Sequence, residues 1–435
     1  MKATLVLPDH LTAAIVEAAS HPLETAGVLL ASLVKCPDGT IRLLGTDIRW
    51  VHEAAYLLRE VDRLSIASDG YVPALGDAER NGAIAIWMHT HPGMTAIPLP
   101  STYDEEVDQQ IQSLFCLRTG TGYYGTLIVS PRPNGLAFTG RLETEDGAQT
   151  PIERMWQVGD GWRLVHSFDS QAAPLPDLFD RNIRAFGSDI QTTLSDLRIG
   201  IVGAGGTGSA VAEQLVRLGV RNLLLIDVDT LSASNVTRVY GSSPADVGRP
   251  KVEVLREHLM SIAGDLACRS EQSMVTVKGT AQLLTSCDLV FGCTDDNAGR
   301  LVLSRLATYY LTPIIDMGVL LSSDADGGLT GIDGRVTVLY PGAACLVCRN
   351  RVDLARAATE LMTPEERTKL ESEGYAPALG RTEPAVVAFT TSVAAAAVGE
   401  LLERLIGYGP LPRPNEVLLR WHDREISTNR AEPRF

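Results

Sequence analysis

Leu197–Asp227 reads LRIGIVGAGGTGSAVAEQLVRLGVRNLLLID. Leu197–Val202 is an apolar run of strand length, and Gly203-Ala204-Gly205-Gly206-Thr207-Gly208 comes directly after it. Val211, Leu215 and Leu218 then recur at helical spacing, and Asn222–Ile226 is a second apolar strand ending at Asp227. Strand, glycine turn, helix, strand and acid make a mononucleotide-binding βαβ unit. Glycines let the backbone approach phosphates, and the helix N-terminus favours their charge. Asp227 stands where an acceptor for a ribose hydroxyl is expected.

The fingerprint alone also suits an NAD-dependent oxidoreductase, so the choice of nucleotide rests on residues farther along the chain. Asp227-Val228-Asp229 leads into Ser234-Asn235-Val236-Thr237-Arg238 and then Gly248-Arg249-Pro250-Lys251. A further apolar strand, Asp288–Phe291, delivers Cys293-Thr294-Asp295-Asp296-Asn297. Taken singly, Arg238 and Lys251 are solvated surface charges. Beside a phosphate turn, however, an Arg and a Lys hold a triphosphate and neutralise departing pyrophosphate. A carboxylate at a strand's carboxyl end can hold Mg²⁺. Hydride transfer requires none of these.

From Phe179 to Trp421 this order of motifs resembles the ThiF/MoeB family, the adenylating fold shared with ubiquitin-activating enzymes. The resemblance implies that Gly203, Gly205, Gly206 and Gly208 form the ATP turn and that Asp227 binds ribose. It implies that Asn235, Arg238 and Lys251 serve the phosphates and that Asp295 serves magnesium. Arg181, in Phe179-Asp180-Arg181-Asn182-Ile183, matches an arginine that the family donates to a partner subunit's ATP site, which implies a homodimer. The implied reaction is attack of a C-terminal glycine carboxylate on the α-phosphate of ATP, giving an acyl-adenylate. The chain departs from the family twice. Cys345-Leu346-Val347-Cys348 resembles half of a structural zinc site, but no cysteine occurs after Cys348, and two thiolates do not close a tetrahedron. The segment ending Leu379-Gly380-Arg381-Thr382-Glu383-Pro384 carries no thiol where many relatives have a catalytic one.

A second informative stretch is Ala83–Asp104, AIAIWMHTHPGMTAIPLPSTYD. In an extended strand Ala83, Ala85, Trp87, His89 and His91 share one side, so two imidazoles point the same way. Pro92 and Gly93 stop the strand. Taken alone, Ser101-x-x-Asp104 is a helix N-terminal signature, and a lone His-x-His is more often structural. Together, His, His and Asp with an open fourth position make a hydrolytic zinc arrangement, since Ser101 and Asp104 can share a helix face. Glu24 stands just ahead of the apolar segment Gly27–Val34; alone it reads as an exposed helix-start acid.

Glu24, His89-x-His91-Pro92 and Ser101-x-x-Asp104 resemble the JAMM motif of the JAB/MPN metallopeptidases, which cleave bonds after ubiquitin-like proteins. The resemblance, over about residues 1–145, implies His89, His91 and Asp104 as zinc ligands, Glu24 as general base and Ser101 as oxyanion stabiliser. Nine residues separate His91 from Ser101, a longer gap than the family's pattern.

The bulk numbers bound these readings. A chain of 435 residues has room for two or three domains. A net charge of −15 argues against nucleic acid or an anionic membrane as partner. Seven scattered cysteines do not make a disulfide framework. Ala385–Leu402 reads as a buried helix rather than a membrane span. With no signal peptide visible, a cytoplasmic location is expected. The expected fold is α/β: a JAB/MPN domain over 1–150, a linker over 151–178 containing Ser167–Pro176, and a Rossmann-like ThiF/MoeB domain over 179–435. The expected function is processing and adenylation of a ubiquitin-like or sulfur-carrier protein ending in glycine, with zinc, ATP and Mg²⁺. Conjugation, antiviral defence included, ranks slightly above sulfur incorporation; an oxidoreductase or a non-catalytic carrier-binding protein ranks below both.

Overall fold

In the computed structural model, which describes residues 2–93, 97–133, 135–167, 176–324, 326, 328–363, 365–367 and 385–434, the chain divides into two units. The first is Met1–Val158 with Trp162–Ala173, and the second is Gly159–Gly161 with Pro174–Phe435.

The first unit begins with β1 (Ala3–Pro8), α1 (Asp9–Ala19), β2 (Ala26–Lys35) and β3 (Ile41–Trp50). A small pair, β4 (Tyr56–Arg59) and β5 (Leu64–Ile66), precedes α2 (Val72–Asn81), β6 (Ile84–Thr90) and α3 (Thr102–Thr119). It ends with β7 (Tyr123–Arg132), β8 (Gly135–Thr144), β9 (Gln149–Val158) and β10 (Arg163–His166). The large sheet runs β1-β3-β2-β6-β7-β8-β9-β10, and β1 also pairs in parallel with β9, so the sheet closes on itself. The period-2 pattern of β6 separates two cores. Ile84, Ile86 and Met88 join α1's Leu11 and Ile15 on one face. Ala83, Ala85 and Trp87 pack with Leu75 of α2 and Phe115 of α3 on the other. The two histidines therefore continue the helix-covered face, where α3 begins. β7 and β8 form a hairpin, with Arg132 opposite Gly135.

Residues 151–178 are not simply a linker. They carry most of β9 and all of β10, with Ile152, Met155, Trp156 and Val158 buried in the first unit. Those apolar side chains are interleaved with Glu153, Arg154 and Gln157, which hid the strand period. The core of the expected linker, 168–175, lies outside the described residues.

The second unit opens with α4 (Asp180–Phe186) and α5 (Ser188–Asp196), then β11 (Arg198–Val202), α6 (Gly206–Leu218) and β12 (Asn222–Ile226). Next come α7 (Lys251–Ile262), β13 (Ala267–Glu271), α8 (Lys278–Leu283), β14 (Leu289–Gly292) and α9 (Asn297–Tyr309). The remainder is β15 (Ile314–Ser323), β16 (Leu329–Leu339), α10 (Leu354–Glu360), α11 (Val387–Ile406), β17 (Glu416–Arg420) and β18 (Glu425–Asn429). The sheet order is β13-β12-β11-β14-β15-β16-β17-β18. The first five strands are parallel and the last three antiparallel. Chain order reverses between β11 and β14, and the crevice at such a switch point is where α/β sheets take ligands. The late Ala-rich segment is α11, which buries Val393, Ala397 and Leu401. No helix among the described residues is long and apolar enough to cross a membrane.

The turn after β11 depends on two close approaches. Gly203 has φ +98, and a Cβ there would lie 2.6 Å from the Cys293 carbonyl oxygen. A Cβ on Gly208 would lie 1.8 Å from the Gly203 carbonyl oxygen. Gly208→Ala is therefore expected to cost about 1–3 kcal/mol through overpacking, read as a lower denaturant midpoint for the second unit. An unchanged midpoint would show that the turn can relax around a methyl group.

Candidate functional sites: a three-ligand cluster and a glycine turn

In the first unit, β6 ends at Thr90 and the backbone stays extended to His91, whose N–H donates to the Val129 carbonyl (2.9 Å). Thr90 Oγ1 accepts from the Thr25 N–H at 2.9 Å, and Thr90 N–H donates to the Thr25 carbonyl. These bonds tie the start of β2 to the end of β6 and bring Glu24 beside the histidines. Arg59 completes the tie, donating through Nε to the Glu24 carbonyl (2.8 Å) and through Nη2 to Thr25 Oγ1 (2.8 Å). Arg59 belongs to none of the sequence motifs described above. Its role is backbone anchoring, and no local pattern announces that.

His89 Nε2 lies 3.2 Å from His91 Nε2 and 3.3 Å from Asp104 Oδ1. His91 Nε2 is 3.7 Å from Asp104 Oδ2 and 3.7 Å from Glu24 Oε1. Zinc with tetrahedral bonds of about 2.0–2.1 Å needs ligand atoms about 3.3 Å apart. His89, His91 and Asp104 fit that requirement, and their donor atoms all lie within 4.8 Å of one another. Two imidazole nitrogens this close, facing a carboxylate, need a proton or a cation between them.

Asp104 is held from behind. It is the third residue of α3, with Ser101 as N-cap in a complete capping box. The Ser101 N–H and Oγ–H both donate to Asp104 Oδ2, at 2.7 and 2.8 Å. Burial pushes the Asp104 carboxyl up, but hydrogen bonds from His89 and His91 outweigh it and hold the group well below the usual range. The helix-cap reading is realised, and the same cap aims the carboxylate toward the two imidazoles.

Glu24 is 4% exposed and precedes a strand, not a helix start. Burial raises its pKa to about 7, against the opposing pull of His89 and His91. One turn beyond Asp104, Asp108 is buried and accepts from Tyr124 Oη (2.6 Å) and Arg141 Nη2 (2.9 Å). This clamp fixes α3 against β7 and β8. Nothing in the local run Asp104-Glu105-Glu106-Val107-Asp108 sets Asp108 apart from its acidic neighbours.

In the second unit, the glycine turn is braced from β12. Asp227 Oδ2 accepts from the Ala204 N–H at 2.6 Å, and Oδ1 accepts from the Asp229 N–H at 2.8 Å. A carboxylate has lone pairs to spare for a further donor. Burial raises the Asp227 carboxyl. Arg238 lies over the start of α6, so a Cβ on Gly206 would come within 3.2 Å of its Cγ and Cδ. Gly205 differs from its neighbours. A Cβ there meets nothing within 4 Å, so the fold itself does not demand glycine; close approach of a ligand would. Lys251 is nearly buried and pairs with Asp229 Oδ2 at 2.7 Å. Asn235 is buried in a capping turn, its Oδ1 accepting from the Ser232 N–H. Asp295 is exposed in the loop after β14, and Asp296 beside it caps α9. Arg181 is exposed on α4.

One buried acid, Asp316, escaped the sequence reading. It is wholly buried on β15 beside Gly292, with Arg300 Nε at 3.4 Å and Arg335 Nη2 at 3.1 Å. A carboxylate inside the apolar run Ile314-Ile315-Asp316-Met317 was the available signal. Cys345 and Cys348 come together with 3.6 Å between their sulfurs. The segment 379–384, noted above for its lack of a thiol, lies outside the described residues.

The model of the ThiF family matches residues 179–433. The chain belongs to the ThiF family. Its second unit is thus a ThiF/MoeB-type, Rossmann-like adenylation domain, and the oxidoreductase expectation gives way. Molybdopterin-synthase adenylyltransferase of Escherichia coli is 34% identical over 39% of this chain and 65% of its own length. Ubiquitin-like modifier-activating enzyme 5 of rice is 32% identical over 45% of this chain and 46% of its own. The chain thus spans less than two thirds of these curated relatives. The structure of E. coli MccB with ATP matches 60% of this chain and 73% of that one at 18% identity, with a TM-score of 0.46.

Ser101→Ala removes both side-chain bonds between Ser101 and Asp104, the α3 cap among them, and leaves the bond from the residue-101 N–H. It is expected to lower the stability of the first unit by about 1 kcal/mol, measured by chemical denaturation. Stability equal to the parent would mean that the cap is dispensable.

Proposed function

We propose that this chain acts twice on the C-terminus of a ubiquitin-like or sulfur-carrier protein ending in glycine. The second unit adenylates that terminus with ATP, and the first unit is a JAMM-type zinc peptidase that trims or deconjugates it. ThiF membership supports the first half of the reading. The convergence of His89, His91, Asp104, Glu24 and Ser101 carries the second.

For adenylation, the carrier's glycine carboxylate attacks the α-phosphate, and pyrophosphate leaves. The Gly203–Gly208 turn with the α6 N-terminus receives the phosphates, and Gly205 leaves them room. Arg238 and Lys251 neutralise charge that grows on the leaving group, with Asp229 orienting Lys251. Asp227, already accepting from Ala204 and Asp229, has capacity left for a ribose hydroxyl. A single exposed carboxylate such as Asp295 suits magnesium, which keeps waters and binds through one or two carboxylates plus phosphates. Arg181 is assigned to a partner subunit's site, and the active form to a homodimer.

For hydrolysis, His89, His91 and Asp104 hold the zinc, which when bound supplies Lewis acidity. Glu24, with a proton affinity near neutral, takes the proton of the attacking water and returns it to the leaving amine. Ser101 keeps Asp104 oriented and, with substrate present, faces the developing oxyanion. Both activities converge on one tail chemistry, which makes the fusion intelligible. We rank conjugation, antiviral defence included, slightly above sulfur incorporation.

Two experiments test the halves separately. Carrier-dependent ATP–pyrophosphate exchange should occur with a glycine-terminated β-grasp carrier and fall at least about 100-fold in Asp295→Ala; no exchange would end the adenylation reading. A C-terminally extended carrier should be trimmed by protein holding one zinc per chain. His89→Ala should lose metal and cleavage together, whereas Glu24→Gln should keep the metal and lose cleavage. Full cleavage by either variant would overturn the peptidase reading.

A further inference from the structure

The Cys345–Cys348 turn is not absorbed by either activity. The two sulfurs are 3.6 Å apart, and each accepts a backbone N–H: Cys345 from Cys348 and Cys348 from Arg434, both at 3.5 Å. Cys348 lines a cavity of about 350 Å³. Arg349, Arg351, Arg430 and Arg434 also line it, four guanidinium groups against the carboxylates of Glu416 and Glu432 and, behind Arg430 at 3.0 Å, Asp160. A wall with this excess of positive charge disfavours a divalent cation and favours thiolate and other anions. Among the described residues, no third His, Cys, Asp or Glu donor joins the pair around one ion. The other five cysteines offer no comparable setting. Cys36, Cys116 and Cys287 are buried, and burial raises the Cys268 thiol to about 12 and pushes the Cys293 thiol up as well.

We propose that Cys345 and Cys348 form a redox dithiol whose exchange partner is an anionic low-molecular-weight disulfide, of the glutathione class. Cys348, at the cavity wall, is the attacking group. Its thiolate sulfur bonds to one sulfur of the disulfide, the disulfide bond breaks, and one thiolate leaves. Cys345 then loses its proton to solvent and attacks Cys348 Sγ from 3.6 Å, releasing the second thiolate. Two protein thiols are oxidised to one disulfide, and one small disulfide is reduced to two thiols. The arginine wall selects carboxylate-bearing partners.

The test is differential alkylation with mass spectrometry on the full chain, in glutathione buffers from fully reduced to fully oxidised. A Cys345–Cys348 disulfide should form while the other five cysteines remain thiols. Cys345→Ser should trap one glutathione on Cys348, whereas Cys348→Ser should trap none on Cys345. The neutral bis(2-hydroxyethyl) disulfide should react at least about tenfold more slowly, a difference of ~1.4 kcal/mol in barrier. Equal labelling of all seven cysteines at every poise would overturn the proposal. So would a second zinc per chain that is lost in Cys348→Ser, because the pair would then hold metal.

Discussion

The second unit turns on one steric constraint: the α-carbon of Gly208 sits so close to the Gly203 carbonyl that even a methyl group would collide with it. That contact lets α6 start immediately beside β11, which places its first amides at the mouth of the sheet. Everything offered to a phosphate depends on it. Asp227 braces the turn from below through the Ala204 amide, and Arg238 covers its open side. The loop after β14 presses on Gly203 from the neighbouring strand. A charged crevice results without a charged strand.

The first unit solves a different problem, that of aiming polar groups from an apolar strand. Alternation along β6 carries Ala83, Ala85 and Trp87 into the helix-covered core and delivers His89 and His91 at its edge. The carboxylate of the cluster comes from a helix start, where the same hydrogen bonds that cap α3 orient Asp104. Secondary structure and donor placement are therefore one set of interactions. Mutations meant to probe one will disturb the other.

Much of this was legible in sequence because the patterns are local. Glycine spacing, the period-2 run before His89 and the S-x-x-D cap each lie within a few residues, and each appears where expected. The features that escaped depend on distant partners. Arg59 matters only because Glu24 and Thr25 fold back onto it. Asp108 is distinguished from neighbouring acids only by Tyr124 and Arg141. Asp316 is stabilised by arginines from α9 and β16. The strand β9 was hidden because its buried residues do not alternate strictly. Glu24 shows the opposite error: an acid read alone as exposed is buried, since a strand comes after it.

The parallel pairing of β1 with β9 means that the first unit has no free beginning. A fragment stopped at residue 150 would leave β1 with one side of its backbone unpaired and Ile152, Met155 and Trp156 missing from the interior. Such an edge is an invitation to strand exchange between molecules. Genetic dissection of the two units therefore has a natural cut well beyond the apparent motif, after β10. Recombination that shuffled this unit among fusions would have had to carry its last strands along with the His89, His91 and Asp104 cluster.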